Sequence, residues 1–342
     1  MAEIGSYKED ILHIYNQDLP WEKLSGANVL VTGATGLIGS CLVEALMYNP
    51  KRDYNVYASG RNEERAHLRF KSFENDKCFH FIKHDVVQPI DCDIKFDYII
   101  HTASNASPNF FSKYPVEIVK TVVCGVDNLL SYGLNHGLKR FVYVSTGEVY
   151  GEGDGRVLTE EYSGYVNCIH PRSSYPSAKR AAEALCVAYA TEYGADVVIA
   201  RPCHIYGPNY TENDNRVYAQ FIRNILQNED IVMKSTGEQF RSYCYVVDCV
   251  SALLYILLKG ENCQAYNIAN PESNISIKQL AETIAAIGNK KVVIEIPDAI
   301  EKKGYNLVTK SVFSVDKLMN LGWTPRVGIK DGLQRTIDAC KK

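Results

Sequence analysis

Tyr175 and Lys179 stand four residues apart in SSYPSAKRAAEAL, a stretch rich in alanine and apolar residues that continues into a helix. That spacing puts both side chains on one helical face. A lysine ammonium beside a phenol favours the phenolate and lowers a pKa that is about 10 in isolation, giving a proton acceptor for an alcohol near neutral pH. Alone, such a pair is common on helices, so its meaning depends on what else the chain brings to it. The segment 141–150, FVYVSTGEVY, brings a second set. Its apolar strand ends at Ser145-Thr146, where a hydroxyl can bind a substrate oxygen at the carboxyl edge of a sheet. Glu148 lies two residues beyond Thr146 and offers a carboxylate that can take a proton from carbon or orient a substrate; capping or solvation is its ordinary alternative.

A third set is the run GATGLIG, with glycines at 33, 36 and 39, directly after an apolar strand at 28–32 and inside the opening of the amphipathic run 37–46. Gly33 permits a tight turn, Gly36 lets the backbone approach a pyrophosphate, and Gly39 allows close helix-strand packing while the helix N-terminus faces the negative charge. In this strand-turn-helix context the pattern predicts dinucleotide binding, with Gly33, Gly36, Leu37, Ile38 and Gly39 as the cradle. Beside it, the catalytic reading of Tyr175 and Lys179 becomes the better one, and the lysine can also hold the nicotinamide ribose. The next strand would ordinarily end in an acidic residue for the adenosine ribose, but here it ends in Ser59-Gly60-Arg61. Without that carboxylate a 2′-phosphate is not repelled, and Arg61 could pair with one or stack on adenine. NADP stands open beside NAD.

These residues need a scaffold, and the hydrophobic pattern supplies one. Strands are predicted at 28–32, 54–59, 78–82, 97–101, 140–145 and 196–201, with helix-like stretches between most of them. Strands separated by helices imply right-handed crossovers and a mostly parallel, Rossmann-type α/β sheet. Residues 1–25 read as an extension of one or two short helices that Ile11, Ile14 and Leu19 could dock. Residues 26–202 read as the dinucleotide-binding domain, and 203–342 as mainly a smaller α/β substrate lobe with elements returning to the first. Within that lobe the pattern gives a loop-rich stretch around 207–216, a helix at 217–227, short strands near Ile231 and Arg241, and a late helix beginning near Ser276.

At 342 residues the chain is long enough for a substantial core, and 46% hydrophobic with 23% charged residues is a globular balance. A formal charge of −3 gives no global attraction for nucleic acid or anionic lipid. The eleven cysteines form no CxxC pair and no zinc-like clusters with the eight histidines, so free thiols in a reducing compartment and no metal are expected. The N-terminal segment lacks the order of a secretory signal, and the strongest apolar run, 250–258, is too short to span lipid. A cytoplasmic protein is expected.

Taken in order, Gly33/Gly36/Gly39, Asp85-Val86, Ser107-Pro108, Ser145-Thr146, Val149-Tyr150-Gly151, Tyr175/Lys179, Arg201-Pro202, Gly207-Pro208 and Arg241 make the chain resemble the extended short-chain dehydrogenase/reductase family, in particular its nucleotide-sugar epimerases, dehydratases and decarboxylases. The resemblance covers about residues 27 to 330. It implies a Rossmann domain for NAD, a C-terminal domain for a nucleoside diphosphate sugar, and a homodimer formed through a helical interface. It makes Asp85-Val86 adenine contacts and the strand end His101-Thr102-Ala103-Ser104 a cofactor wall. Thr146, Glu148, Tyr175 and Lys179 become the catalytic set, Arg241 a pyrophosphate ligand, and Arg216 an arginine of the decarboxylase branch especially. Ser145, Thr146, His204, Arg216 and Arg241 are the substrate-side candidates. His204 in RPCHIYGP departs from the family, which commonly has asparagine there.

The branches share oxidation of the sugar C4 hydroxyl and differ in the fate of the resulting ketone. The family's 4,6-dehydratases resemble Thr-Asp-Glu where this chain has Thr146-Gly147-Glu148, and glycine cannot protonate a leaving hydroxyl. The decarboxylase branch, with Thr-Ser-Glu, needs no such acid. Its resemblance extends through EVYGEG, GYVNCIHPRS and NDNRV, so UDP-glucuronate decarboxylation to UDP-xylose is the expected reaction. Epimerisation or dehydration is the alternative. A catalytically idle nucleotide-binding protein is the reading from another class, against which the retention of both Tyr175 and Lys179 argues.

Overall fold

The computed structural model describes residues 6–211, 214–295 and 310–341. Residues 1–5 of the N-terminal extension lie outside the described residues. The chain opens with α1 (Ser6–His13), then runs β1 (Asn28–Thr32), α2 (Leu37–Met47), β2 (Asn55–Gly60), α3 (Glu63–Phe70), β3 (Phe79–Lys83), β4 (Tyr98–His101), α4 (Pro108–Lys113), α5 (Pro115–Asn135), β5 (Arg140–Val144), α6 (Ser174–Tyr193) and β6 (Val197–Pro202). It continues through β7 (His204–Tyr206), α7 (Val217–Leu226), β8 (Ile231–Met233), β9 (Phe240–Tyr245), α8 (Val246–Lys259), β10 (Ala265–Ile268), β11 (Asn274–Ser276), α9 (Ile277–Gly288), β12 (Val292–Ile294), β13 (Lys310–Ser311), α10 (Asp316–Met319) and α11 (Ile329–Cys340).

Seven strands form one all-parallel sheet in the order β3-β2-β1-β4-β5-β6-β10. The six strands expected from the sequence are present, each within one residue of its predicted bounds. They were legible because central parallel strands are covered on both faces and read as apolar runs; β1, β4 and β5 are buried almost throughout. The chain builds outward from β1 to β3 and then returns to β1's other side with β4. That reversal opens a crevice beyond the carboxyl ends of β1 and β4, where an open α/β sheet binds ligands.

The seventh strand, β10, is four residues of AYNI and carries too little pattern to be recognised locally. It is one of the elements that return from the C-terminal region. Beside it runs α8, in which every residue from Val246 to Leu258 is buried. The apolar run too short to cross a membrane is thus a helix apolar on all sides because it is packed on all sides. Among the described residues, no helix is long and apolar enough to cross a membrane, and all eleven cysteines are free thiols.

The C-terminal region builds a small sheet around β9, which pairs with β7 and β13 in parallel and with β11 antiparallel; β8 and β12 form a separate parallel pair. Helix α9 starts where expected, because Ser276 and Gln279 form a reciprocal capping box. At the other end of the chain, Ile11, Ile14 and Leu19 are buried. Tyr7 donates to Glu44 of α2 at 2.6 Å and Arg335 of α11 pairs with Asp10, so the extension is fastened to both regions.

Asp248 is a buried carboxyl at the start of α8, 4% exposed, whose Oδ2 accepts the backbone N–H groups of Val327 (2.9 Å) and Arg326 (3.1 Å). Burial pushes its pKa up to about 6 against the pull of those amides. A carboxyl raised in the folded state binds its proton more tightly there than in the unfolded chain, so the stability it contributes is present at low pH and falls as pH rises from the unfolded value through about 6. Asp248→Asn keeps an acceptor and removes the charge. It should flatten the decline in melting temperature across that window, an effect on the order of 3 kcal/mol by linkage; an unchanged pH slope in thermal unfolding would refute the assignment.

Candidate functional site

The glycine turn sits at the crevice between β1 and β4. Gly33 has a φ of +66°, and a Cβ there would lie 2.6 Å from Ala103 Cα and 2.7 Å from Ala103 N, so both conformation and space require glycine. Thr102 fastens the two strand ends: its N–H reaches Thr32 O at 3.2 Å and its hydroxyl donates to the same oxygen at 2.7 Å. Gly39 lets α2 rest on the turn, since a Cβ there would stand 2.3 Å from Gly33 O. Gly36 differs. A Cβ on it would meet only Gly33 O, at 3.3 Å, and as N-cap of α2 it offers no side chain to the first-turn amides. The backbone around Gly36, Leu37 and Ile38 is thus an open, uncapped helix N-terminus, which fits a dinucleotide diphosphate.

At the end of β2, Arg61 is 60% exposed in its side chain and stands 3.3 Å from Glu117 and 3.8 Å from Asp85. By sequence alone Arg61 is available for a 2′-phosphate. In the fold it lies between two carboxylates whose charge opposes a second anion. Val86 is buried, and its carbonyl accepts Asn128 Nδ2 at 2.9 Å. Of the expected wall, His101 belongs to the core instead. It is buried, its Nδ1 is 2.7 Å from Thr32 Oγ1, and its ring lies against Gly125 of α5 and Tyr143. Burial pushes it down to about 3, so it is a neutral core histidine.

Tyr175 and Lys179 lie in the first two turns of α6, 4% and 2% exposed. The phenol ring is stacked on Phe111 of α4, with centroids 4.2 Å apart and planes 10° from parallel. Lys179 Nζ donates to Val144 O at 2.8 Å and stands 4.8 Å from the Tyr143 ring centroid and 5.9 Å from that of Tyr175. The expectation that lysine lowers the phenol pKa is corrected here. Burial pushes Tyr175 upward and the Glu148 charge adds to this, while the Thr146 hydroxyl, the Arg216 charge and the Ser104 hydroxyl pull back. The same burial brings Lys179 down to about 7, opposed by Glu183 one turn along. Both groups are sunk in a dry layer between α6 and β5, where either charged form is penalised.

The turn after β5 carries the next groups. Thr146 caps it, its Oγ1 accepting Glu148 N at 3.3 Å, and Glu148 pairs with Arg172 at 3.3 Å. Protein surrounds the Glu148 carboxylate on most sides and raises its pKa, while Arg172 and Arg241 pull it back; about a third of the side chain still opens to the cleft. Gly147 lies under the ring of Phe313. At the end of β5, Ser145 Oγ is buried without a hydrogen-bond partner among the described residues, as a polar atom awaiting a ligand would be.

Arg241 of β9 is 4% exposed and feels the charges of Glu148 and Arg172. His204 of β7 opens to the cleft beside it, and partial enclosure and the Arg241 charge lower its pKa. Arg216 does not offer the open fork anticipated. Its Nε and Nη2 clasp Asp214 at 2.5–3.1 Å, Nη2 also reaches Tyr218 Oη at 3.1 Å, and Nη1 reaches Ile205 O at 3.3 Å. The neighbouring acid two residues away was in the sequence, NDNRV, and is the signal that was passed over. Arg172, Phe111 and Phe313 were also missed. Arg172 in PRSSY stood three residues before Tyr175, whereas nothing local marked the two phenylalanines.

The NAD dependent epimerase/dehydratase family matches residues 29–269. UDP-glucuronic acid decarboxylase 6 of Arabidopsis thaliana is 35% identical over 317 residues, covering 90% of this chain and 87% of that protein. UDP-glucuronic acid decarboxylase 1 of Xenopus tropicalis is 34% identical over 320 residues, covering 92% and 72%. Among solved structures, the UDP-glucose 4-epimerase of Thermotoga maritima with UDP-glucose superposes with a TM-score of 0.78 at 27% identity, over 92% of this chain and 98% of that one.

The acidic neighbours of Arg61 predict that this chain favours NAD over NADP by at least about tenfold in binding titrations, since a 2′-phosphate would face two carboxylates. A preference for NADP that vanishes in Arg61→Ala would instead make the arginine a phosphate ligand.

Proposed function

We propose that this chain, which belongs to the NAD dependent epimerase/dehydratase family, is a nucleotide-sugar enzyme that oxidises the sugar C4 hydroxyl and, where the sugar is glucuronate, releases its carboxylate as carbon dioxide. The observation that carries the reading is the meeting of Tyr175 with the Thr146–Glu148 turn: helix α6 packs against that turn at the sheet's carboxyl edge, with the phenol stacked on Phe111. The 35% identity to a UDP-glucuronic acid decarboxylase over nine-tenths of the chain supports the choice of sugar.

Bound NAD supplies the hydride acceptor and a positive charge that offsets the burial penalty on a phenolate. The rest falls to the chain's own groups. Tyr175 takes the C4 hydroxyl proton, and its stack on Phe111 fixes the direction in which its oxygen points. Thr146 orients the oxygen that becomes the ketone. Lys179, tied to Val144 O, presents its remaining N–H groups to a ribose. Once C4 is a ketone, the C5 carboxylate belongs to a β-keto acid. Its C–C bond breaks with the electron pair delocalised into the ketone, and C5 then gains a proton before hydride returns to C4. Glu148, raised by burial and steadied by Arg172, is the carboxyl positioned to manage that proton. Arg241 takes the diphosphate, with His204 beside it, and the product is UDP-xylose.

Incubation with UDP-glucuronate should release carbon dioxide, and Glu148→Gln should slow turnover more than it weakens substrate binding. Products of unchanged mass from a neutral nucleotide sugar, without carbon dioxide from UDP-glucuronate, would move the assignment to an epimerase. Tyr175→Phe keeps the aromatic stack and removes the proton acceptor, so turnover should fall at least about 100-fold with cofactor binding largely kept. Near-normal turnover in that variant would sink the role given to the phenol.

A further inference from the structure

Gly147 is not glycine for the sake of its backbone. It has no positive φ, so its conformation would accept a side chain. What excludes one is volume: a Cβ at 147 would lie 2.1 Å from Phe313 Cζ and 2.5 Å from Cε2, well inside any non-bonded contact. Nor is Phe313 placed to step aside. It is 4% exposed, and its N–H donates to Ser242 Oγ at 3.1 Å. The residues on either side of it are laced to Leu158, by Leu158 N to Val312 O at 2.7 Å and Ser314 N to Leu158 O at 3.0 Å. Its ring meets Tyr150 edge-on at 5.5 Å, and Tyr150 closes the same turn that Gly147 opens.

We propose that Phe313 is a positioning residue that decides the reaction class: its ring fills the space into which residue 147 would project, so the turn can hold no proton donor between Thr146 and Glu148. The proposal rests on the nucleotide-sugar reading above. Eliminating water from a 4-ketosugar breaks C5–H and C6–O. A base takes the C5 proton, that electron pair forms the C5–C6 double bond, and the departing oxygen leaves as water only if a second group gives it a proton. Glu148 can take the first proton; nothing beside it in the turn can give the second. Loss of carbon dioxide breaks the C5–C6 bond, sends the electron pair into the ketone, and needs no donor at a leaving oxygen. Phe313 thus closes elimination and leaves decarboxylation open.

The test uses the full chain in a size-swap cycle. Gly147→Ser alone should lower the melting temperature by about 4 °C or more, because overpacking a fixed ring strains the turn. It should also slow hydride transfer from UDP-glucuronate to NAD, read as reduced-nicotinamide absorbance, by about 30-fold through kcat rather than KM. Combining it with Phe313→Leu, which removes the ring tip, should recover most of both losses. A Gly147→Ser protein with unchanged melting temperature and rate overturns the proposal, and so does a double variant as impaired as the single one. For the reaction class, Gly147→Asp with Phe313→Leu should release water from UDP-glucose, detected by product mass, while Gly147→Asp alone should not. If that double variant transfers hydride and releases no water, the role in reaction class is refuted. A wild-type chain that transfers hydride from no UDP-sugar would sink the nucleotide-sugar reading instead, and the melting-temperature cycle would still decide whether ring and side chain compete for one volume.

Discussion

One buried ion pair joins the parts that have to be kept in register. Arg201, at the end of β6, binds Glu183 of α6 through both ends of its fork, Nε at 3.0 Å and Nη2 at 2.7 Å. Its Nη1 reaches Glu160 O at 2.7 Å and Tyr150 Oη at 3.2 Å, and the Tyr150 hydroxyl donates to Asn267 of β10. Asn267 Nδ2 then donates to Leu158 O and Ser314 O. The helix bearing Tyr175 and Lys179, the turn bearing Thr146 and Glu148, and the segment bearing Phe313 therefore hang on one guanidinium. Breaking such a pair by removing one partner costs about 3–5 kcal/mol, because the other charge stays buried and alone. Here the cost would reach the site as lost geometry as well, since Glu183 stands one turn from Lys179 on the same helix.

Burial explains the electrostatics of Tyr175, Lys179 and His101 better than any single partner does. It raises Tyr175 and lowers Lys179 and His101, and it raises Glu148 although about a third of that side chain opens to the cleft. In each case the charged form is the one penalised. An ammonium near a phenol, read from spacing alone, suggests a phenolate; the same ammonium in a low-dielectric layer is itself on the edge of losing its proton. A ligand that brings its own charge into this layer shifts these balances more than surface groups can, because the same charge acts more strongly where water is excluded.

Much of the scaffold was legible because its constraints are local or periodic. A strand covered on both faces must be apolar throughout, which gave β1 its bounds to the residue, and a turn closed by β4 must be glycine at 33. The Tyr-Lys spacing and the hydroxyls after β5 were readable for the same reason. What escaped depends on partners distant in sequence or on competition between near ones. Arg172 with Glu148, 24 residues apart, and Phe313 against Gly147 are tertiary facts that leave no local pattern. Arg216 is the opposite case: Asp214, two residues away, sets how its fork is held, and its charge still acts on Tyr175 and His204. The four residues of β10 became a strand because β6 offered an open edge, which no propensity in AYNI records.

A chain with a formal charge of −3 can still make a site for anions, provided the cations are placed where acids cannot cancel them all. Arg216 is paired with Asp214, and Arg61 with Glu117 and Asp85. Arg172 and Arg241 both lower the proton affinity of the Glu148 carboxyl. They stand beside His204 and a turn from which Phe313 excludes further side chains. An anionic group entering there competes with Glu148 for the same cations. That competition ties binding of an acidic substrate to the proton affinity of the carboxyl that must act on it: as the newcomer draws on Arg172 and Arg241, Glu148 loses the influences that lower its pKa and moves further toward holding a proton.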